Sequence, residues 1–291
     1  MKKILSFFTV LAVLAGFTAC NSGGSGSGSG DAYTLKLKLD KGDQFYNNTK
    51  IDMEMTAAIM TIKMNMAMDA RFDVLDVTDT AKTVQLTYTK AEAHMDMGSL
   101  GAMAGNSADS MLNSTYSKMV GKSIRMTMTP DNKITSVTGF DSLMIDPANP
   151  ASKEMVEKMF SKEQLNNNFG MYFNLYPSKP VKIGETWDAL NTMRVGDFDM
   201  KVKVKYKLAN VKNGIADIDV DGVIDASGAM VKGENSVKMD MSGTQKGTIS
   251  VNVSNGYMVS GGFKMDVKAD MEAMGQKIPV TMKANYTVSG K

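Results

Sequence analysis

Chemically reactive side chains are scarce in this chain of 291 residues, which has one cysteine, Cys20, and one histidine, His94. A single cysteine cannot form an intramolecular disulfide, so the fold must be stabilised by an apolar core. Zinc sites and Cys–His nucleophile pairs need more of these residues, and the sequence has no nucleophile elbow, phosphate-binding loop or dinucleotide fingerprint. His94 falls on the polar phase of its segment and is interpreted as a solvated surface residue. We therefore predict that the protein is not an enzyme, and we assign it no cofactor and no metal ligand.

An excess of either charge is also missing. The whole chain carries 33 basic and 31 acidic residues, and 31 of each remain when Lys2 and Lys3 are set aside as part of an N-terminal signal. A neutral body with interspersed signs has no electrostatic footprint for nucleic acid. Nucleic acid is therefore excluded as a partner.

Residues 1–19 have the pattern of an export signal. Lys2 and Lys3 precede an apolar run, 4–15, that is too short to span a bilayer comfortably. The run ends in Gly16-Phe17-Thr18-Ala19-Cys20, and small residues directly before a cysteine resemble the lipobox of bacterial lipoproteins. This resemblance implies cleavage before Cys20 and acylation of that residue, which would anchor the chain in a membrane. The alternative is an ordinary secretory signal that happens to contain a cysteine.

Residues 20–32 comprise Cys20 and a stretch composed mostly of serine and glycine. Such a segment buries no apolar surface and behaves as a flexible tether. It lacks an acidic cluster of the kind that resembles a surface-export signal, so we expect an outer-membrane lipoprotein whose body faces the periplasm. The expected partners are the membrane, through lipidated Cys20, and a lipid or other hydrophobic ligand. The oligomeric state stays open.

Alternation of apolar and polar residues dominates the body of the chain. Between Met60 and Val74 every even position is apolar and nearly every odd position is polar or charged. A period of two predicts a β-strand with one buried and one solvated face. The same alternation recurs from Leu35 to the end of the chain. It predicts a mainly β fold, a long antiparallel meander that forms a barrel-like or half-open curved sheet.

Two stretches depart from this pattern. Residues 111–120 fit a short amphipathic helix. Residues 146–180 carry the signals of a helical connector, with Pro150 at a helix start and a capping-box pattern at 161–164. The connector separates a first β half, residues 33–145, from a second, residues 181–291.

The two halves look related, which indicates an internal duplication of about a hundred residues per copy. The segment 41–45, Lys-Gly-Asp-Gln-Phe, matches 183–187, Ile-Gly-Glu-Thr-Trp, and the strand–turn–strand units that begin at Ile124 and Ile249 match each other. These motifs resemble those of a lipoprotein family of Bacteroidetes-type bacteria whose function is unknown. The long strands are also similar, in architecture alone, to half-open β-barrel carriers of the lipoprotein-localisation class. That likeness implies a concave face that holds lipid.

Methionine is abundant, at 28 residues, and many of these lie two positions apart, which places both thioethers on one face of a strand. The candidate ligand-binding residues are Met53, Met55, Met64, Met66, Met68, Met95, Met97, Met126, Met128, Met239 and Met241. Three interpretations stay open. These side chains line a pliable apolar cavity, they fill a core in which leucine would serve equally, or their thioethers bind Cu(I).

The function predicted from the sequence is that of a membrane-anchored lipoprotein that binds a lipid or acyl chain on a Met-lined concave sheet face. The alternative from another class is a structural or interaction lipoprotein of the cell envelope with no ligand. A Cu(I)-binding protein comes third.

Overall fold

The computed structural model describes residues 32–58, 60–98, 107–139, 175–195, 198–232, 235–273 and 276–291. These ranges contain the helix α1, Ser107–Ser117, at the place where the sequence predicts a short helix. They also contain eleven strands: β1 Gln44–Ala57, β2 Met60–Val77, β3 Lys82–Asp96, β4 Ser123–Met128, β5 Ile134–Thr138, β6 Thr186–Val195, β7 Phe198–Lys212, β8 Ile215–Lys232, β9 Asn235–Asn252, β10 Met258–Ala273 and β11 Gln276–Gly290. The predicted signal, Cys20, nearly all of the tether and most of the predicted connector lie outside the described residues.

All eleven strands belong to one antiparallel sheet, in the order β5-β4-β3-β2-β1-β11-β10-β9-β8-β7-β6. Sequence neighbours are sheet neighbours, and β1 pairs with β11 over Asn47 to Ala57. The strands β5 and β6 form the two edges, so the sheet does not close. This arrangement confirms the predicted antiparallel meander. No helix in the described part of the chain is both long and apolar enough to cross a membrane.

One face of the sheet is buried and the other is solvated, as the alternation predicts. Along β1 every second residue from Phe45 to Met55 is buried, and its neighbours are exposed. The phase changes where the sequence changes parity: the register between β2 and β3 shifts at Asp69/Ala70 and again at Val74/Asp76. Such bulges re-aim the following side chains and keep the apolar ones on the buried face, which we call the inner face.

One end of the sheet is covered by the segment Tyr33–Leu39, which we call the plug. Its leucines 35, 37 and 39 are only 2–3% exposed. Lys38 N–H donates to the Asn255 carbonyl at 2.8 Å, and the Asn132 amide donates to the Leu37 carbonyl at 3.1 Å. This alternating segment is therefore extended and crosses the end of the sheet without forming a full strand. Its one β-bridge in the described structure is the isolated pair Tyr33 and Val181.

The β4–β5 and β9–β10 turns touch the plug, so we call that end of the sheet the plugged end; the β1–β2 and β10–β11 connections lie at the opposite, far end. Gly256, in the β9–β10 turn, has φ of +75°, and a Cβ built on it would lie 2.3 Å from the Lys36 carbonyl oxygen. Only glycine allows this backbone conformation and this close approach together.

A single cluster of buried apolar side chains runs along the inner face, so the sheet curves around its own core. Glycine makes part of this curvature possible. A Cβ on Gly247 of β9 would lie 1.9 Å from the Gly262 carbonyl oxygen of β10. Glycines inside strands commonly mark such tight bends.

The turns that precede β1 and β6 share one geometry. Gly42 and Gly184 each have φ of +91°. Gly42 N–H donates to the Val74 carbonyl of β2 at 2.9 Å, and Gly184 N–H donates to the Leu208 carbonyl of β7 at 2.7 Å. The acidic residues that follow, Asp43 and Glu185, each accept a hydrogen bond from the amide three residues earlier, at 2.9 and 2.8 Å. Stacked aromatic pairs then begin both hairpins, Phe45–Phe72 and Trp187–Tyr206. The two halves share this turn geometry, and the internal duplication stays a prediction.

Candidate functional site: the inner face of the sheet

All eleven candidate methionines lie on the inner face. Nine of them are at most 9% exposed, and Met97 and Met241 are half-buried. Met126 and Met128 of β4 are packed to 0% and 1% exposure, next to the edge strand β5. Eight of the nine buried methionines, all except Met239, belong to the main core cluster, and a ligand could reach them only after the surrounding side chains repacked.

The structure brings three of the methionines into one row across β1, β2 and β3. Met53 lies directly opposite Met64, and Met64 lies directly opposite Met95. The Cβ atoms of directly opposed residues are about 4.5–5.5 Å apart, so the thioethers of neighbouring strands are within contact range. Met66 and Met68 continue this surface along β2 towards the plugged end. Unbranched methionine side chains can change rotamer at little cost, which makes this surface pliable.

The inner face becomes more exposed towards the far end. Along β11, Ala284, Tyr286 and Val288 are 2–4% exposed, whereas Met282 and Val280 are half-buried. Four residues at this end form a small apolar cluster, and we call them the far-end patch: Met239, Met241, Ala269 and Val280. Met241 and Val280 also pack against the main core. Ala269 stands between Met241 on one side and Val280 on the other, so the patch is continuous across β9, β10 and β11.

A second feature of the inner face is polar. Asn47 and Thr49 of β1 and Tyr286 of β11 are 1–4% exposed, and we call them the polar inner cluster. Both side-chain atoms of the Asn47 amide, the Thr49 hydroxyl and the Tyr286 hydroxyl are buried with no hydrogen-bond partner. Leaving such a group unpaired costs about 1–3 kcal/mol. Four unpaired polar atoms therefore lie on two adjacent strands of the inner face.

The sequence analysis missed the polar inner cluster, although a signal was present. Asn47 and Thr49 stand at inner-phase positions between Phe45 and Ile51, which are both fully buried. A polar residue at a buried phase of a strand is informative because it needs a partner. Tyr286 gave no such signal, because tyrosine is common in strand interiors.

Gln245 of β9 is a further buried polar residue, at 5% exposure, and its Oε1 atom has no hydrogen-bond partner. Its inner-face neighbours along β9 are Gly243 and Gly247, and Gly222 of β8 lies directly opposite. Three residues without side chains therefore surround the Gln245 amide.

Charge is nearly absent from this interior. Within the described residues the buried charged side chain is Lys82, near the plugged end, and its ammonium donates to Asn132 Oδ1 at 2.8 Å. Burial, and then the nearby Lys36, lower the pKa of Lys82. Burial raises the pKa of Tyr286, so its phenol stays protonated and able to donate at neutral pH.

Two residues singled out from the sequence have ordinary structural roles. His94 lies on the solvated face, as predicted, with Nδ1 3.5 Å from Asp109 Oδ1. Trp187 is half-buried next to the plugged end, where its indole N–H donates to the Leu175 carbonyl at 2.8 Å and its ring stacks on Tyr206. Trp187 thus helps to cover the end of the sheet.

A groove of about 300 Å³ lies on the outside of the plug, lined by residues 34–37, 131–132 and 176–180. It is at the opposite end of the sheet from the far-end patch and contains none of the candidate methionines. We assign it no function.

Across the part of the chain that the structure describes, no three His, Cys, Asp or Glu side chains are grouped so that they could hold a metal ion.

Comparison with solved structures finds low similarity. A structure titled for lipid–protein interactions in lipovitellin is 10% identical over 87% of this chain, with a TM-score of 0.49. This chain spans about a quarter of its length, 25%. An outer membrane channel from Pseudomonas putida F1 is 6% identical, with a TM-score of 0.20, over 91% of this chain and 100% of the channel. We base no functional argument on either likeness.

Comparison with curated proteins finds no match. A family model does match, over residues 79–258, from the turn between β2 and β3 to the first residue of β10. The match covers more than half of the chain and most of the strands that form the inner face. The protein therefore belongs to a family of unknown function, DUF6263.

Proposed function

We propose that this protein is a lipoprotein, anchored in the outer membrane through acylated Cys20 and facing the periplasm, that binds an apolar ligand such as a lipid or acyl chain at the far end of its inner face. The observation that supports the ligand is the far-end patch, where Met241 and Val280 of the apolar inner face are only half-buried. The anchor rests on the lipobox-like residues 16–20.

The chemistry of the patch suits a flexible apolar guest. Met239 and Met241 of β9 lie across it from Val280, and half-buried Met282 and Ile278 flank Val280 on the inner phase of β11. Burial is worth about 25 cal/mol per Å², so a chain that buries a few hundred Å² gains several kcal/mol. Because methionine rotamers adapt to guests of different shape, we expect broad ligand selectivity.

A pair of variants on one strand tests the ligand site. Val280 belongs to the patch, whereas the next residue, Thr281, lies on the solvated face. Val280→Asp would place a charge in the patch, and Thr281→Asp would make a similar charge change outside it. With 1-decylpyrene delivered from cyclodextrin to the mature protein, we expect Val280→Asp to weaken binding at least tenfold and Thr281→Asp to leave it unchanged.

Two results would overturn the ligand proposal. One is a wild-type protein that fails to take up decylpyrene and shows no co-purified lipid in native mass spectrometry. The other is a folded Val280→Asp protein that binds as the wild type does. Either result would favour a lipoprotein whose methionines only fill the core, as Met126 and Met128 do.

The anchor is tested separately in cells. An alkyne-labelled palmitate should be incorporated into the wild-type protein, and the Cys20→Ala variant should lose both the label and its sedimentation with membranes. A Cys20→Ala protein that stays labelled would contradict the anchor without bearing on the ligand.

Cu(I) binding is a second candidate, and the row Met53–Met64–Met95 is the observation that favours it, since thioethers are soft ligands. An anaerobic Cu(I) titration against a chelator decides this point. If one equivalent binds to the wild type and is lost in Met64→Leu but kept in Met126→Leu, the row is a copper site.

A further inference from the structure

The polar inner cluster has a definite place on the sheet. Asn47 lies directly opposite Ala70 of β2 and Gly290 of β11, so its two directly opposed neighbours are small. Thr49 follows two residues later on the same face. Tyr286 lies directly opposite Ile51, which places it diagonally across from Thr49, at about 7–8 Å between Cα atoms.

None of these side chains is hydrogen-bonded to another, and their polar atoms are buried, so a guest group would reach them only as neighbouring side chains repack. Buried amides and hydroxyls are nearly always paired in folded proteins, either within the protein or to a bound molecule. The Asn47 amide, the Thr49 hydroxyl and the Tyr286 hydroxyl can all donate, and Asn47 Oδ1 can accept. The cluster therefore fits a group that accepts several hydrogen bonds and can donate one.

The charge of that group follows from its surroundings. Lys82, the buried cation of the described inner face, lies six residues along β3 from Tyr88, which shares a row with Ala70 and Asn47. At 3.3 Å per residue this is about 20 Å. An anion in the cluster would thus be buried without a counter-ion, which is costly. A neutral group carries no such penalty.

The methionine surface joins this cluster to the far-end patch. Along the inner face of β1 the order from the cluster is Thr49, Ile51, Met53, Met55 and Ala57, and Ala57 is directly opposite Val280 of the patch. The eight residues from Thr49 to Ala57 span about 26 Å at 3.3 Å per residue, the scale of a long alkyl chain. Ile51, Met53 and Met55 are 0–9% exposed, so a chain would enter this surface only as these side chains repack, with one end at the polar cluster and the other at the patch.

We propose that the polar inner cluster, Asn47, Thr49 and Tyr286, binds the uncharged hydrogen-bonding head of a single-chain amphiphile, such as an alcohol or ester, whose tail lies along the methionines towards the far-end patch. This inference rests on the proposed function and adds to it the class of ligand and its orientation.

The test compares two probes that differ in one group: 10-(1-pyrenyl)decanol, which has a terminal hydroxyl, and 1-decylpyrene, which lacks it. The mature wild-type protein is expected to bind the alcohol at least tenfold more tightly than the alkane. Asn47→Leu and Thr49→Val should each remove most of this preference while leaving alkane binding intact. Asn48→Leu is the matched control, because Asn48 is the next residue on β1 and its amide donates to Asp69 on the solvated face.

Tyr286→Phe protects the test against misfolding, because it deletes a single oxygen atom and keeps the ring. It should also reduce the preference for the alcohol. Pyrenyldecanoic acid at pH 8, where its carboxyl is charged, should bind more weakly than the alcohol.

The outcomes separate the two proposals. A wild type that binds both neutral probes equally, with no effect of Asn47→Leu, would leave an apolar binder and overturn the polar head site; buried water would then satisfy the cluster. A preference for the acid over the alcohol would also overturn it. A wild type that binds neither probe would overturn the proposed function and this inference together.

Discussion

The Tyr257 hydroxyl donates a hydrogen bond to Asp43 Oδ2 at 2.5 Å, across 214 residues of sequence. Tyr257 follows the β9–β10 turn and is 1% exposed, and its ring packs against that of Phe45 at 5.2 Å between centroids. The same carboxylate accepts the Asp40 N–H at 2.9 Å, so it fixes the turn that leads into β1. One side chain thus joins both halves of the chain at the plugged end.

Removing this hydroxyl should destabilise the protein. Tyr257→Phe deletes a hydrogen bond to a charged group, which is worth about 2 kcal/mol, and we expect the free energy of unfolding to fall by that amount. Urea unfolding followed by circular dichroism measures the change. Tyr46→Phe is the control, because Tyr46 is 42% exposed and donates to Gln44 near the surface, and it should cost less than about 0.5 kcal/mol. Equal effects of the two variants would contradict the role given to the Tyr257–Asp43 bond.

The fit of the plug can be measured with two glycines of nearly equal backbone conformation. Gly256 has φ of +75° and Gly214 has φ of +76°. A Cβ built on Gly256 would clash with the plug backbone, whereas a Cβ built on Gly214 would have no neighbour within 4 Å. Gly214→Ala should cost about 1–2 kcal/mol, the price of a left-handed conformation for alanine. Gly256→Ala should cost at least about 2 kcal/mol more, because the plug must move. Similar losses in thermal unfolding would mean that the plug is loosely held.

Stability should fall in alkali. Burial raises the pKa values of Tyr88, Tyr116, Tyr257 and Tyr286 above that of a free phenol, which is about 10. The folded chain then keeps protons that the unfolded chain releases. These tyrosines therefore contribute no pH dependence below about pH 10, and above it each lowers the free energy of unfolding by up to about 1.4 kcal/mol per pH unit.

Urea unfolding at several pH values between 9 and 11 measures this slope. Lys82 has the opposite effect on stability. Its pKa is lowered in the folded state, so the free energy of unfolding rises as the pH rises and the ammonium loses its proton. The informative quantity is therefore the difference between the wild type and Tyr286→Phe, which should have a slope smaller by one proton. No difference between them would show that Tyr286 titrates freely.

Gln245→Leu should stabilise the protein. The Oε1 atom of Gln245 is buried without a partner, so an apolar side chain of similar size removes an unpaired acceptor and is expected to raise the free energy of unfolding by about 1 kcal/mol. Gln85→Leu, at a half-buried position on the polar phase of β3, should change it by less than about 0.5 kcal/mol. A loss of stability in Gln245→Leu would show that this amide has a partner in solution.

Alternation in the sequence was sufficient to predict which side chains face inwards, because each strand has a period of two and one dry face. Leu75 next to Val74 breaks the parity of the alternation, and the register between β2 and β3 shifts at that place. Asn213-Gly214 is typical of a tight hairpin turn, and both residues have positive φ, 52° and 76°.

Long-range relations could not be predicted in this way. Leu35, Leu37 and Leu39 alternate like a strand, and nothing local distinguishes a sheet strand from a plug. The pairing of β1 with β11 joins residues more than 200 positions apart, as Asn47 with Gly290. The polar inner cluster depends on this pairing, since only the pairing places Tyr286 of β11 on the same face as Asn47 and Thr49 of β1.

The position of β11 between β1 and β10 has a consequence for biogenesis. Of the eleven strands β1 is synthesised first and β11 last, yet they are adjacent at the centre of the sheet. Until β11 arrives, β1 and β10 each expose an unpaired edge, and such edges invite aggregation. Completion of the sheet must wait for the last strand, so a protein with contacts this distant in sequence should fold slowly. A newly made chain would then depend on chaperones to protect these edges in the interval.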